Sequence, residues 1–263
     1  MSRRLERIRP SRAKVSLKKE AFAETFRDDT LLAFKSQMYT MRSLLLLLCL
    51  VTVHAFAAGP TGTLNDTGVT QCYDGTQMTT CTNANAGDAG SFPGQDGRFG
   101  RDAAAAAGAL TKVGGGAAGF DFTALDASGN PIALDGSGVP VSTPVCVRDN
   151  VTNLIWVADG AVNGSLTWGA AQAYATTYSL CGYASGWRLP TRRELLSIVN
   201  FGAYLPAIDT NFFPNIIQIS PYWTSDITQF GFAYSLTVFF ADGTASADHQ
   251  TNPNQVRLVR SGP

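Results

Sequence analysis

The sequence predicts an α+β fold for residues 145–263, preceded by a glycine-rich region pinned by disulfides. Three observations carry that prediction. All four tryptophans (Trp156, Trp168, Trp187 and Trp223) fall after residue 144. Short alternating stretches suited to strands are interspersed there with two helix-start signals. Residues 59–144, by contrast, hold seventeen of the 26 glycines and no tryptophan, too little apolar bulk to close a core alone.

In chain order, residues 1–40 carry ten Lys/Arg against five Asp/Glu and show no core-forming periodicity. They read as an upstream extension produced by a misplaced start, the alternative being a cytoplasmic tail on a signal anchor. Residues 41–58, "MRSLLLLLCLVTVHAFAA", have the order of a secretory signal peptide. Arg42 supplies the positive start, Leu44 to Val53 the apolar stretch, and Ala55-Phe56-Ala57 the small-residue cleavage site. The apolar stretch is too short to cross a bilayer core of about 30 Å. An exported product, periplasmic, surface-bound or extracellular, is the expectation. From residue 58 onward nine Lys/Arg face fifteen Asp/Glu, which argues against nucleic acid or anionic membrane as a partner.

Export sets the reading of the cysteines. Beyond Cys49 there are Cys72, Cys81, Cys146 and Cys181, an even number that reads as two disulfides. Four cysteines allow three pairings, and Cys72–Cys81 with Cys146–Cys181 is the one favoured. No Cys-x-x-Cys spacing occurs and the histidines are only His54 and His249, so no zinc site or other metal is expected. Asp96, Asp102, Asp121, Asp126 and Asp135 raise calcium as a candidate. Their spacing does not fit a helix–loop–helix calcium loop, and solvated turn aspartates are the preferred reading.

The glycine-rich part, residues 59–144, is expected to lie over a neighbour or stay partly mobile. Within it, "FDFTALDASGNPIALDG" (120–136) alternates around a Ser-Gly-Asn turn and reads as a hairpin. "VCVRDNVTNLIWVA" (145–158) reads as one strand or a hairpin. Thr167 is a plausible N-cap for a helix through residues 168–180, with Ala171, Tyr174 and Ala175 on one face. "FAYSLTVFFADGTASA" (232–247) is a hairpin signal around Asp242-Gly243, a pair suited to a type I′ turn. "QVRLVR" (255–260) reads as a closing strand with Val256 and Leu258 on one side.

The most informative stretch is "GWRLPTRREL" (186–195), with Trp187, Arg188, Leu189, Pro190, Thr191 and Glu194. Glu194 is the only glutamate after Met41 and stands three positions after Thr191. That is capping-box spacing, in which hydroxyl and carboxylate each accept the other residue's backbone N–H. Leu195, Ile198 and Val199 follow as an apolar stripe at helical spacing. Catalysis by a carboxylate usually wants a second proton-transferring group in reach, and the sequence offers no obvious partner for Glu194, so a structural clasp is expected rather than a general acid or base.

This stretch, followed by "PAIDTNFFPN", "YWTSD", "FFADG" and "VRLVR", resembles the Lcl C-terminal domain family over roughly residues 145–261. "WRLPT-x-x-E" is also similar to the motif of formylglycine-generating enzymes, a variant of the C-type lectin fold. The resemblance implies a C-type-lectin-like domain of two helices and a small twisted antiparallel sheet. It also implies an adhesin-like role with sulfated glycans as ligands. This chain has no cysteine after Cys181, whereas those enzymes use a C-terminal cysteine pair, and it lacks the calcium-dependent sugar motifs of true C-type lectins. Some relatives carry a cysteine where Leu258 stands, so Cys181 must pair elsewhere here.

The expected function is therefore a non-catalytic binding module without cofactor, its partner an extracellular polysaccharide or a surface protein. Tyr222, Trp223, Asp226, Asp248, His249, Asn252, Asn254 and Arg257 are the candidate ligand residues. Aromatics stack on sugar rings while amides and carboxylates bond hydroxyls, and Arg257 has the charge for sulfate. For Arg257 and Arg260, salt bridges to Asp149 or Glu194 are the alternative. An envelope scaffold or a protein-binding display domain is the second reading, and an enzyme of the formylglycine-generating type the third.

Overall fold

The computed structural model describes residues 65–81, 94–161, 163–228 and 233–263; the upstream extension and the signal-peptide segment lie outside the described residues. All the elements below belong to one compact unit, residues 61–263. A two-stranded ribbon opens it, β1 (Gln71–Tyr73) and β2 (Met78–Thr80). A short helix α1 (Gly100–Ala106) follows, then β3 (Phe122–Leu125). The hairpin expected over 145–158 forms as β4 (Cys146–Asp149) and β5 (Leu154–Val157). Then come β6 (Ser165–Leu166), α2 (Trp168–Thr177) and α3 (Arg192–Leu196). Strands β7 (Tyr222–Ile227), β8 (Tyr234–Val238), β9 (Ala245–His249), β10 (Asn254–Gln255) and β11 (Val259–Ser261) complete the unit.

The strands form a mixed α/β architecture with few helices and mostly antiparallel sheets. One sheet has the order β11-β5-β4-β3 and is antiparallel throughout. The other runs β6-β10-β7-β8-β9, antiparallel except where Gln255 of β10 lies alongside Tyr222 of β7. The first sheet is buried on both faces, as the unbroken apolar run Leu154–Val157 requires. Ala124, Val147, Trp156 and Val259 face one cluster with Phe120, Phe122, Phe212, Phe213 and Phe240. Cys146, Ile155 and Val157 face the other, with Trp187, Leu189, Trp223, Val256 and Leu258. Burying one such side chain is worth roughly 1.5–3 kcal/mol, so the two layers are the main stabilising term.

The glycine-rich part does lie over its neighbour, but disulfides do not pin it there. Both predicted pairs form, Cys72–Cys81 within the ribbon and Cys146–Cys181 within the later part, so neither crosses residue 144. The attachment is instead backbone pairing and burial. β3 pairs with β4 from Phe122↔Asp149 to Leu125↔Cys146. Phe201 N donates to Thr67 O (2.8 Å), Ala117 N donates to Asp209 Oδ2 (2.9 Å), and Asn65 donates to Asp149.

Other expectations need local correction. The 120–136 hairpin has only one regular arm; the chain returns through an isolated bridge between Leu125 and Pro131. Its turn repeats nine residues later. In Asp-x-Ser-Gly-x-Pro at 126–131 and 135–140, each Asp Oδ1 accepts N–H groups two and four residues on. Asp126 and Asp135 are thus turn aspartates. Helix α2 starts after Thr167, as expected, but the Thr167 side chain makes no capping bond and the helix ends at Thr177. The 232–247 hairpin forms, but not through a type I′ turn. Gly243 has φ +80° while Asp242 stays out of the left-handed region, and Phe239 and Thr244 close a wider loop. The closing strand 255–260 splits: β10 joins one sheet and β11 the other.

Cys146–Cys181 spans a sequence separation of 35 residues. A Cys72→Ser/Cys81→Ser variant should lose about 3–4 kcal/mol on reduction of the remaining bond, by loop-closure entropy. Urea unfolding with and without reductant measures it.

Candidate functional site

The 186–195 stretch builds a clasp. Thr191 Oγ1 accepts the Glu194 N–H (3.2 Å) and Glu194 Oε2 accepts the Thr191 N–H (2.8 Å), the predicted capping box. The glutamate does more than cap. Arg188 Nη1 donates to its Oε2 (2.7 Å) and Nη2 to its Oε1 (2.6 Å), a bidentate pair. Arg188 also exchanges both backbone hydrogen bonds with Val259 (2.9 and 3.0 Å), and Ser225 N donates to Pro190 O (2.7 Å). Trp187 and Leu189 are buried on either side, and Leu195, Ile198 and Val199 enter the core. Burial works to raise the Glu194 pKa, but the Arg188 guanidinium and the Thr191 N–H outweigh it and hold the carboxyl below its ordinary value. The same pair raises the Arg188 pKa.

The expected ligand face does not assemble as one surface. Tyr222, Trp223 and Arg257 are buried completely, because β7 and the 256–258 segment run between the two apolar clusters. Trp223 Nε1 donates to Leu166 O (2.8 Å), and the Tyr222 hydroxyl donates to Gly160 O (3.0 Å) while accepting from Ile217 N (3.0 Å). Arg257 Nη1 donates to Val157 O (2.6 Å) and Ala158 O (2.8 Å). Its guanidinium packs on the rings of Phe213, Tyr222 and Phe240. Neither arginine of "VRLVR" pairs with Asp149 or Glu194. Arg260 stacks on Tyr183, 3.7 Å from the ring centre.

Asp248, His249, Asn252 and Asn254 are brought together, as one self-satisfied turn. Asp248 Oδ1 accepts from Asn252 Nδ2 (2.7 Å) and the His249 N–H (2.8 Å), and Oδ2 accepts from Asn254 Nδ2 (2.7 Å). His249 Nδ1 lies 2.7 Å from Thr251 Oγ1, and its ring stands edge-on to Tyr234. Asp226 is elsewhere, accepting the Arg192 N–H (2.7 Å) at the start of α3.

Of the candidate calcium aspartates, Asp96 and Asp102 come together with Asp66, their oxygens within 4.8 Å of one another. Burial, followed by the charges of Asp66 and Asp96, pushes the Asp102 pKa up against two backbone hydrogen bonds. Asp121 instead holds the 113–114 turn by accepting the N–H groups of Val113 and Gly114.

The groups left for recognition lie at the 186–195 stretch, outside the expected ligand face. With Arg188 taken by Glu194, the exposed side chains of Arg192 and Arg193 have no hydrogen bond or ion pair among the described residues. They flank a groove of about 360 Å³ whose walls include Asn65, Asp66, Leu196 and Phe201. Phe201 is 47 % exposed, fixed through its N–H to Thr67 O (2.8 Å) and backed by Gly243, where a side chain would strike its ring. The signal available was two adjacent arginines in a capped first turn. Nothing local said which of four charged groups would remain unpaired.

Fold and site define a disulfide-stabilised α+β module with a cationic groove beside its capping-box helix. Residues 145–260 match the model of the Lcl C-terminal domain family, and the chain carries a domain of that family. No curated protein matches the chain.

Replacing Glu194 by Gln keeps an oxygen that can accept the Thr191 N–H and should cost about 0.5–1 kcal/mol, the partly screened ion pair with Arg188. Because the folded Glu194 pKa lies below the ordinary 4.5, the wild type holds this contribution above that pH and loses it as pH falls through the folded value. Thermal melts from pH 7 to 3 should therefore converge for the two proteins at the acid end.

Proposed function

We propose that this chain is an exported, non-catalytic binding module on a C-type-lectin-like scaffold. It recognises acidic, sulfated glycans through the groove at Arg192, Arg193 and Phe201. The observation that carries this reading is the pair of guanidinium groups left without partners beside an exposed ring. A guanidinium fork matches the oxygens of a sulfate, and Phe201 offers a platform for a sugar ring. Export is supported by two disulfides, bonds that persist in oxidising compartments. A non-catalytic role is supported by the use of Glu194, Asp226 and Asp248 as acceptors for backbone, amide and guanidinium groups. Tyr204 and Leu205 are also exposed, three and four residues beyond Phe201. That favours an envelope or surface protein as the second reading.

The test is binding to an array of sulfated and unsulfated glycans. An Arg192→Ala/Arg193→Ala variant should melt as the wild type does and bind sulfated ligands at least tenfold more weakly, a loss that shrinks as salt is raised. Undiminished binding by this variant would move recognition to another face. Absence of binding across the array would transfer the proposal to a protein partner. Trp223→Ala is uninformative, because that ring is core.

A further inference from the structure

The edges of the two larger sheets are closed unequally. The β3 edge is covered by backbone: Gly115 and Phe122 exchange both hydrogen bonds (2.8 Å each), and Ile132 N donates to Ala124 O (2.8 Å). The β11 edge is covered by Arg188, which exchanges both bonds with Val259. The β6 edge is only two residues long. That leaves β9, whose residues Ala245–His249 all stand in register with β8 and have no strand on their other side among the described residues. The ladder fixes which groups this edge presents. Phe239 N donates to Thr244 O (2.9 Å) and Gln250 N to Ala233 O (2.8 Å). By the alternation of an antiparallel pair, Thr244, Ser246, Asp248 and Gln250 bond to the β8 side. Ala245, Ala247 and His249 point their N–H and C=O away from it.

His249 satisfies both of its outward groups, donating its N–H to Asp248 Oδ1 (2.8 Å) and accepting the Asn252 N–H (2.9 Å). Ala245 and Ala247 do not. Their outward N–H and C=O have no partner among the described residues, and Ala245, Ser246 and Ala247 are exposed. Folded proteins blunt such an edge with lysine, proline or a bulge. The sequence Ala-Ser-Ala-Asp-His holds neither residue, and its pairing with β8 is unbroken. Its one carboxylate, Asp248, is taken up by Asn252, Asn254 and the His249 N–H. The free groups are complementary to themselves. A two-fold axis at Ser246 sets Ala245 opposite Ala247 of a second copy, so that each positive N–H meets a negative carbonyl, and the symmetric pair repeats the exchange. In that register Ser246 opposes Ser246 of the second copy, and Asp248 opposes Thr244 rather than another Asp248. Like charges directly opposite are thereby avoided, and the three central side chains are small.

We propose that β9 is a homodimerisation edge, pairing antiparallel with β9 of a second copy of this chain about a two-fold axis at Ser246. The five-stranded sheets of the two copies then run on as one sheet. The inference goes beyond the glycan groove and does not rest on it.

The test is sedimentation of the full chain over a concentration series. Twice the chain mass is expected, in an equilibrium that shifts with concentration. Ser246→Lys and Ser246→Glu each set like charges face to face across the axis and should weaken association at least tenfold. An equimolar mixture of the two variants should restore the doubled mass, because lysine then meets glutamate. A dimer through another face or in another register gives no such restoration. In the wild type, the Ala245 and Ala247 amides should exchange hydrogen rapidly when dilute and become protected as the mass doubles. That readout stands even if neither variant folds. A monomer throughout the series, undiminished association of both variants, no restoration on mixing, or unprotected Ala245 and Ala247 amides in the dimer would each overturn the assignment.

Discussion

The Arg188–Glu194 pair is the constraint on which the rest of the later part depends. One carboxylate closes the first turn of α3, accepts both terminal nitrogens of Arg188, and so fixes the residue whose backbone pairs with Val259. A helix start, a loop and the closing strand are thereby held at one point. Its electrostatic part is modest, because the side chains are 42 % and 22 % exposed and water screens them. The directional hydrogen bonds matter more. They satisfy N–H groups that a five-residue helix cannot satisfy internally, and they leave Arg192 and Arg193 without an acid of their own.

The segment that meets the clasp, residues 254–261, ties the two sheets together. β10 sits beside β7 in one sheet and β11 beside β5 in the other, so the chain between them crosses the interior. Val256 and Leu258 enter the cluster with Trp223, and Arg257 points to the opposite side, which is also closed. A buried charge without a carboxylate costs several kcal/mol unless other groups compensate. Here two carbonyl oxygens and three aromatic rings supply part of that compensation, Nε and Nη2 having no hydrogen-bond partner among the described residues, and Arg257 serves as a polar bracket on the Val157–Ala158 backbone. A cation that looks from sequence like a sulfate ligand is consumed by the fold.

What was legible follows the range of the interactions. The Thr191–Glu194 cap, the 145–158 hairpin and the helix after Thr167 are decided within a few residues, and their patterns gave them away. The favoured cysteine pairing was also correct. The ligand face was misread because exposure is a tertiary property. "YWTSD" looks like a polar-flanked aromatic pair, and only the second layer over β7 makes Tyr222 and Trp223 core. Nor does the motif itself say that Glu194 would choose Arg188 over Arg192 or Arg193. That choice depends on the backbone bridge between Arg188 and Val259, 71 positions apart. The Asp242-Gly243 turn was placed correctly but typed wrongly, because the wider loop keeps Asp242 in ordinary backbone space.

Two cavities lie on the seam between the glycine-rich part and the Lcl C-terminal domain. The groove takes Asn65 and Asp66 from one side and Arg192, Arg193 and Phe201 from the other. A second cavity, of about 490 Å³, takes the turns at 114–117 and 137–139 from one side and the 208–212 loop from the other. Close packing needs side-chain volume on both surfaces of a contact, and a chain supplying glycine at that contact leaves concavities where backbone and a few polar groups are exposed. β3 and the hydrogen bonds from Phe201 N to Thr67 O and from Ala117 N to Asp209 hold the seam together while the glycines keep it unfilled. The same composition that prevents residues 65–144 from closing a core of their own thus leaves recesses along the seam. The family-defined residues 145–260 carry only one wall of each.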